Sequence, residues 1–65
     1  MYAVVIFRDE YADGFDWVYG PVNYGIHPVA DMRVIGVWSD LVEFSGTLAE
    51  CEAWVAKNYP ELVDN

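Results

Sequence analysis

Basic residues are scarce in this chain. Arg8, Arg33 and Lys57 stand against eleven Asp and Glu, for a net charge of -8. Phosphate backbones are gripped by Lys and Arg, so direct nucleic-acid binding is not expected. Cysteine is scarcer still. Cys51 stands alone, which excludes an intramolecular disulfide, and without a Cys-x-x-Cys pair or a neighbouring His it offers no zinc site. A chain without that staple fits a reducing, cytoplasmic setting. No apolar stretch approaches the roughly 18 residues that a membrane span needs. No basic segment with a cleavage site precedes the first strand-like run, so neither secretion nor membrane association is expected. The five glycines form no Gly-x-Gly-x-x-Gly or phosphate loop. His27, the single histidine, has Ser39 and Ser45 as conceivable partners, but no nucleophile-elbow spacing surrounds them. A triad needs a nucleophile, a base and a group that orients the base. The expectation is therefore a protein that is not an enzyme, with no catalytic residue, metal or cofactor.

What is abundant is apolar surface. Of the 65 residues, 55% are apolar and 17% aromatic, enough for one domain spanning residues 1–65. A chain this short buries only about 60% of its unfolded surface, and with disulfide and metal excluded, oligomerisation is the remaining common way to stabilise it. Residues 2–8 are β-branched and aromatic at both parities and read as a strand buried on both faces. Residues 9–14 read as a polar loop and 15–19 as the returning strand of a hairpin. Gly20-Pro21 is expected to break that strand and open a long loop over residues 20–32. Residues 33–38 and 41–44 read as a second hairpin across Ser39-Asp40. Thr47 followed by Glu50 is a capping box, and Leu48, Cys51, Trp54, Val55 and Leu62 recur at helical spacing. The helix is expected over residues 48–59, with Pro60 marking its end. The fold class is thus α+β: a small antiparallel sheet of about four strands in two hairpins, with one C-terminal helix on one face.

Strand alternation then divides the side chains. Ala3, Val5, Phe7, Phe15, Trp17 and Tyr19 fall on a face without charge, the expected seat of the helix. The other face receives the strand charges together with Val4, Ile6, Val18, Ile35 and Val37. Those five form a candidate aliphatic patch through which a second copy or another molecule would dock, since large apolar patches mark interaction sites. A homodimer or higher oligomer is the expectation from that surplus.

Among features that could carry chemistry, Cys51 lies on the apolar stripe of the helix and reads as a small buried hydrophobe. Asp9, Asp13 and Gly14 match positions 1, 5 and 6 of a calcium loop. Tyr11 and Gly20 occupy positions where that loop needs ligands, and the flanks look like strands, so a solvated hairpin is the better reading. Asp9, Glu10, Asp13 and Asp16 gather at one end of the first hairpin with no local structural reason. Residues two apart on a strand are about 6.6–6.8 Å apart, near the spacing of successive phosphates. An acidic edge of this kind could occupy the Arg/Lys groove of a basic protein. The function expected is a non-catalytic interaction protein acting by surface occupancy. It would be an inhibitor or decoy of a basic, nucleic-acid-handling partner, by analogy with the small proteins phages direct against host factors. Tyr11, Tyr24 and His27 would add loop contacts. The alternatives are a structural homo-oligomer pairing through its sheet face, and a small-ligand binder in which the 20–32 loop, with Tyr24 and His27, closes over a pocket between subunits.

Overall fold

A computed structural model of the chain describes residues 1–32 and 36–63. Two long strands dominate it. Strand β1 (Tyr2–Asp13) and strand β2 (Asp16–Pro28) form one antiparallel hairpin. A four-residue helix α1 (Val29–Met32) follows, then a 3₁₀ helix (Gly36–Leu41), strand β3 (Val42–Gly46), helix α2 (Leu48–Asn58) and the short helix α3 (Pro60–Val63). The sheet order is β2-β1-β3. The coarse class, α+β with an antiparallel sheet, is as the sequence implies. The strand count is three among the described residues.

The differences have physical causes. Residues 9–13 continue β1, and Gly20-Pro21 continues β2. Proline is tolerated on an edge strand or at a bulge, and Pro21 has both. β2 is an edge strand, and the register shifts beside it, where Val22 is the extra residue between the pairs Phe7↔Asn23 and Arg8↔Pro21. The expected 20–32 loop is therefore mostly strand. Among the described residues the expected second hairpin does not form: residues 36–41 coil as a 3₁₀ helix, and β3 pairs with β1 through Val4↔Phe44 and Val5↔Val42. Residues 33–35, part of that expected strand, lie outside the described residues.

Helix α2 starts where the capping box places it. The Thr47 hydroxyl accepts from the Glu50 amide at 3.1 Å, and the Thr47 amide donates to the Glu50 carboxylate at 2.9 Å. Two otherwise orphaned donors are thereby satisfied. The helix closes at Tyr59, whose amide donates to the Val55 carbonyl at 2.7 Å. Pro60 then serves as the first residue of α3, a position where its missing N–H costs nothing.

The helix sits on the opposite sheet face from the one expected. Val4 and Ile6 are fully buried together with Cys51 and Val55 of α2, and Tyr2, Tyr24, Ile26, Phe44, Trp54 and Tyr59 pack around them. Phe44 stacks on Trp54 with ring centroids 5.4 Å apart. The placement of Val4 and Ile6 on an outer patch is thus corrected. The misleading signal was Arg8, which shares their face and argues for an outer one. Arg8 lies just past the end of α2, where Glu43 and Tyr59 engage it. Ala3 and Val5, on the other face, are buried as well, and the 3₁₀ helix lies against β1. Both faces of the first half of β1 are consequently covered within one chain.

Candidate functional site

Length decides what stays bare. Twelve residues of β1 at about 3.3 Å each span roughly 40 Å, while eleven residues of α2 at 1.5 Å each span only about 16 Å. The molecule is accordingly 41 Å long and 15 Å thin. Beyond Phe7 the hairpin runs on as a two-stranded arm of residues 8–21, since β3 pairs only with Tyr2 through Val5.

The arm turns at Gly14-Phe15, between the paired Asp13 and Asp16. Gly14 has φ of 68° and is the sole described residue with positive φ. A two-residue loop with glycine first at positive φ and an ordinary second residue fits a type II′ turn, whose twist suits a hairpin. Phe15 stands fully exposed at this tip.

Register assigns the arm two faces. On one, Tyr11 pairs with Val18, Asp9 with Gly20, and Asp13 with Asp16. The Tyr11 ring covers Gly20, passing 3.4 Å from where a Cβ would stand, and Gly20 is buried in consequence. On the other face, continuous with Val4 and Ile6, Arg8 pairs with Pro21, Glu10 with Tyr19, and Ala12 with Trp17. Here Trp17 is 73% and Tyr19 71% exposed. Ala12 is too small to cover the indole opposite it.

At the base of the arm the Arg8 guanidinium pairs with Glu43 and donates to the Tyr59 hydroxyl at 3.1 Å, and that hydroxyl donates to Glu43 at 2.8 Å. Donation to the Glu43 carboxylate pushes the Tyr59 phenol above its ordinary range. The three side chains tie the arm to β3 and to the end of α2.

Asp9, Glu10, Asp13 and Asp16 all lie on the arm, and among the described residues none makes an ion pair. They form no ladder at phosphate spacing. Asp9 and Asp13 share a face four residues apart, about 13 Å along the strand, and Glu10 is on the reverse. That separation also removes the calcium-loop geometry, and among the described residues no three potential ligands gather around one point. Asp13 and Asp16 oppose each other directly, a placement that costs stability in a sheet.

The other expected site residues are dispersed. Val18 is half-buried beside Tyr11, on the opposite face from Val4 and Ile6. Ile35 and the Val37 side chain lie outside the described residues. Tyr24 packs against the core cluster. His27 pairs with Ala3, while Tyr24 pairs with Ile6, so the two occupy opposite faces and cannot close over one pocket from one side. The His27 ring lies over Gly25, its Nε2 2.6 Å from where a Cβ would stand. Cys51 is buried, its thiol donating weakly to the Tyr2 carbonyl at 3.6 Å, and burial pushes its pKa up. That is the condition of an inert core thiol.

Phe15, Trp17 and Tyr19 were expected under the helix and are the residues the arm leaves bare. The length mismatch between an eleven-residue helix and a hairpin of this size was the available signal. No helix is long and apolar enough to cross a membrane among the described residues. Compared with family models, curated proteins and solved structures, the chain finds no match.

Proposed function

We propose that the chain is a non-catalytic binding protein that uses the arm of residues 8–21 to occupy the surface of a basic protein partner. One observation carries this reading. Residues 9–20 hold four carboxylates and no cation, interleaved with exposed Phe15, Trp17 and Tyr19 on a projection that the core does not need. Aromatic anchors ringed by charge are what binding surfaces use: the rings supply contact energy, while the charges steer encounter and reject wrong partners. The scattered acids favour contact with a protein over imitation of a phosphate row. Proteins that handle nucleic acid carry the Arg- and Lys-rich surfaces such an arm would seek. Occupying one makes the chain an inhibitor or decoy. The aliphatic sheet face expected to recruit a second copy has Val4 and Ile6 beneath α2, which removes the main support for self-association through it.

The test is capture of a basic protein by the immobilised chain, followed by titration of that purified protein. Replacing Asp9, Asp13 and Asp16 by Asn and Glu10 by Gln is expected to weaken binding by about a hundredfold or more. Undiminished affinity in the quadruple variant refutes the reading.

A further inference from the structure

Resting on that reading, the structure assigns the chemistry of the contact: we infer that Trp17, Tyr19 and Glu10 form a platform for arginine, so the partner is an arginine-presenting protein segment. The three side chains share one face of the arm by register, with Glu10 directly opposite Tyr19 and diagonal to Trp17. Cross-strand neighbours stand about 4.5–5.5 Å apart at Cβ, and diagonal ones about 7–8 Å. A carboxylate thus flanks two largely exposed aromatic side chains. Among the described residues Arg8 is the only cation on this face of the arm, and it is engaged by Glu43 and Tyr59 at the arm's base. Glu10 is left without a cation among the described residues.

A guanidinium suits this arrangement better than an ammonium. It is planar and weakly hydrated, so it stacks on an indole or phenol while its edge donates two hydrogen bonds to a carboxylate. Lysine offers a compact, strongly hydrated charge that must shed water to gain the same contact. Charge selects among the other occupants of an exposed aromatic face. A second copy would bring another -8 and oppose like carboxylates, nucleic acid would oppose phosphates, and an anionic bilayer would repel the arm. A basic segment is the one that gains at each carboxylate.

The experiment titrates the whole chain with end-blocked octa-arginine and octa-lysine at low ionic strength, following binding by calorimetry and the tryptophan indole N–H signals by NMR. Octa-arginine is expected to bind about tenfold more tightly and to shift the Trp17 signal, while octa-lysine leaves that signal in place. Trp17→Ala with Tyr19→Ala should erase the preference and leave the weaker, salt-sensitive binding; both rings are exposed, and an unchanged amide spectrum elsewhere verifies the fold. Equal affinity for the two peptides, or a preference that survives the double variant, overturns the arginine platform and leaves the basic-partner reading standing. No binding of either peptide overturns both. A Trp17-dependent dimer in sedimentation, or Trp17-dependent binding to zwitterionic vesicles, overturns the platform in favour of a second copy or a lipid surface.

Discussion

Truncating a small side chain at the root of the hairpin should damage this protein more than truncating its most prominent tryptophan. Ile6 is 0% exposed, enclosed by Val4, Cys51 and Val55 with Tyr24 and Phe44 at the margin. Trp17 is 73% exposed opposite Ala12. Ile6→Ala removes buried methyl and methylene groups and leaves a cavity, a loss of about 2–5 kcal/mol. Trp17→Ala gives up little that folding had buried, so its cost should stay within about 0.5 kcal/mol. A chain of 65 residues has on the order of 3–10 kcal/mol in total. Ile6→Ala therefore takes a large fraction of it, and with a urea dependence of about 1 kcal/mol per molar the midpoint should fall by roughly 2 M or more. Urea titration followed by far-UV circular dichroism is the assay, because Trp17→Ala deletes a fluorophore. A larger midpoint loss from Trp17→Ala than from Ile6→Ala would refute the placement of the core beneath α2 and the bareness of the arm together.

Gly14→Ala should destabilise the hairpin by about 1–2 kcal/mol, read as a lower melting temperature. No atom lies within 4 Å of the added Cβ while φ is 68°, so the cost is conformational, and D-alanine placed there by synthesis should avoid it. Equal melting of the two alanine forms would contradict the type II′ turn. The capping box gives a pH dependence. Hydrogen bonds from the Thr47 backbone and side chain hold the Glu50 carboxyl below its ordinary range. The folded pKa is the lower one, so the unfolded chain binds the extra proton first as pH falls. This contribution is complete above the ordinary glutamate range and disappears as pH drops through the depressed value. Glu50→Gln, which keeps the bonding geometry, should therefore show a shallower loss of urea midpoint between neutral pH and pH 3 than the parent chain; parallel acid limbs would show that the charge of Glu50 adds nothing.

Elements whose causes are local were legible in the sequence, and those decided by tertiary neighbours were not. Thr47 and Glu50 announce the start of α2 because both capping bonds close within four residues. The apolar run at the start of β1 announces a strand buried on both faces, and Ala3, Val4, Val5 and Ile6 are all buried. Gly20-Pro21 misleads because whether proline ends a strand depends on which edge it occupies, and edge position is a property of the sheet. The face of the helix misleads for a related reason. A charge on a strand face implies solvent only when no partner reaches it, and the partners of Arg8 come from residues 43 and 59, distant in sequence. Of the candidate site, the gathering of the four carboxylates on the first hairpin follows from their closeness in sequence, but the ladder at phosphate spacing does not form, because Glu10 lies on the reverse face from Asp9 and Asp13. The aromatic half was assigned to the core, because alternation tells which residues share a face but not where along a strand the covering helix stops.

On the proposed reading, stability and recognition fall to different halves of one hairpin, and the junction between them bears on how the second half would work. A two-stranded ribbon in water is marginal by itself. This one is held at its far end by the Gly14 turn, along its middle by Tyr11 over Gly20, and at its base by Arg8, Glu43 and Tyr59. The base contact is exposed, and surface ion pairs contribute little to global stability, about 0–1 kcal/mol. Its consequence is directional. It joins the first residue of the arm to β3 and to the cap of α2, and so constrains the direction in which the arm leaves the core. The bulge at Val22, on the opposite strand, adds local twist at the same level. A projection already ordered when free loses less freedom on docking than a flexible loop of the same composition. The opposed Asp13 and Asp16 and the bare rings are therefore costs the arm can carry, because the half that folds the chain does not depend on them.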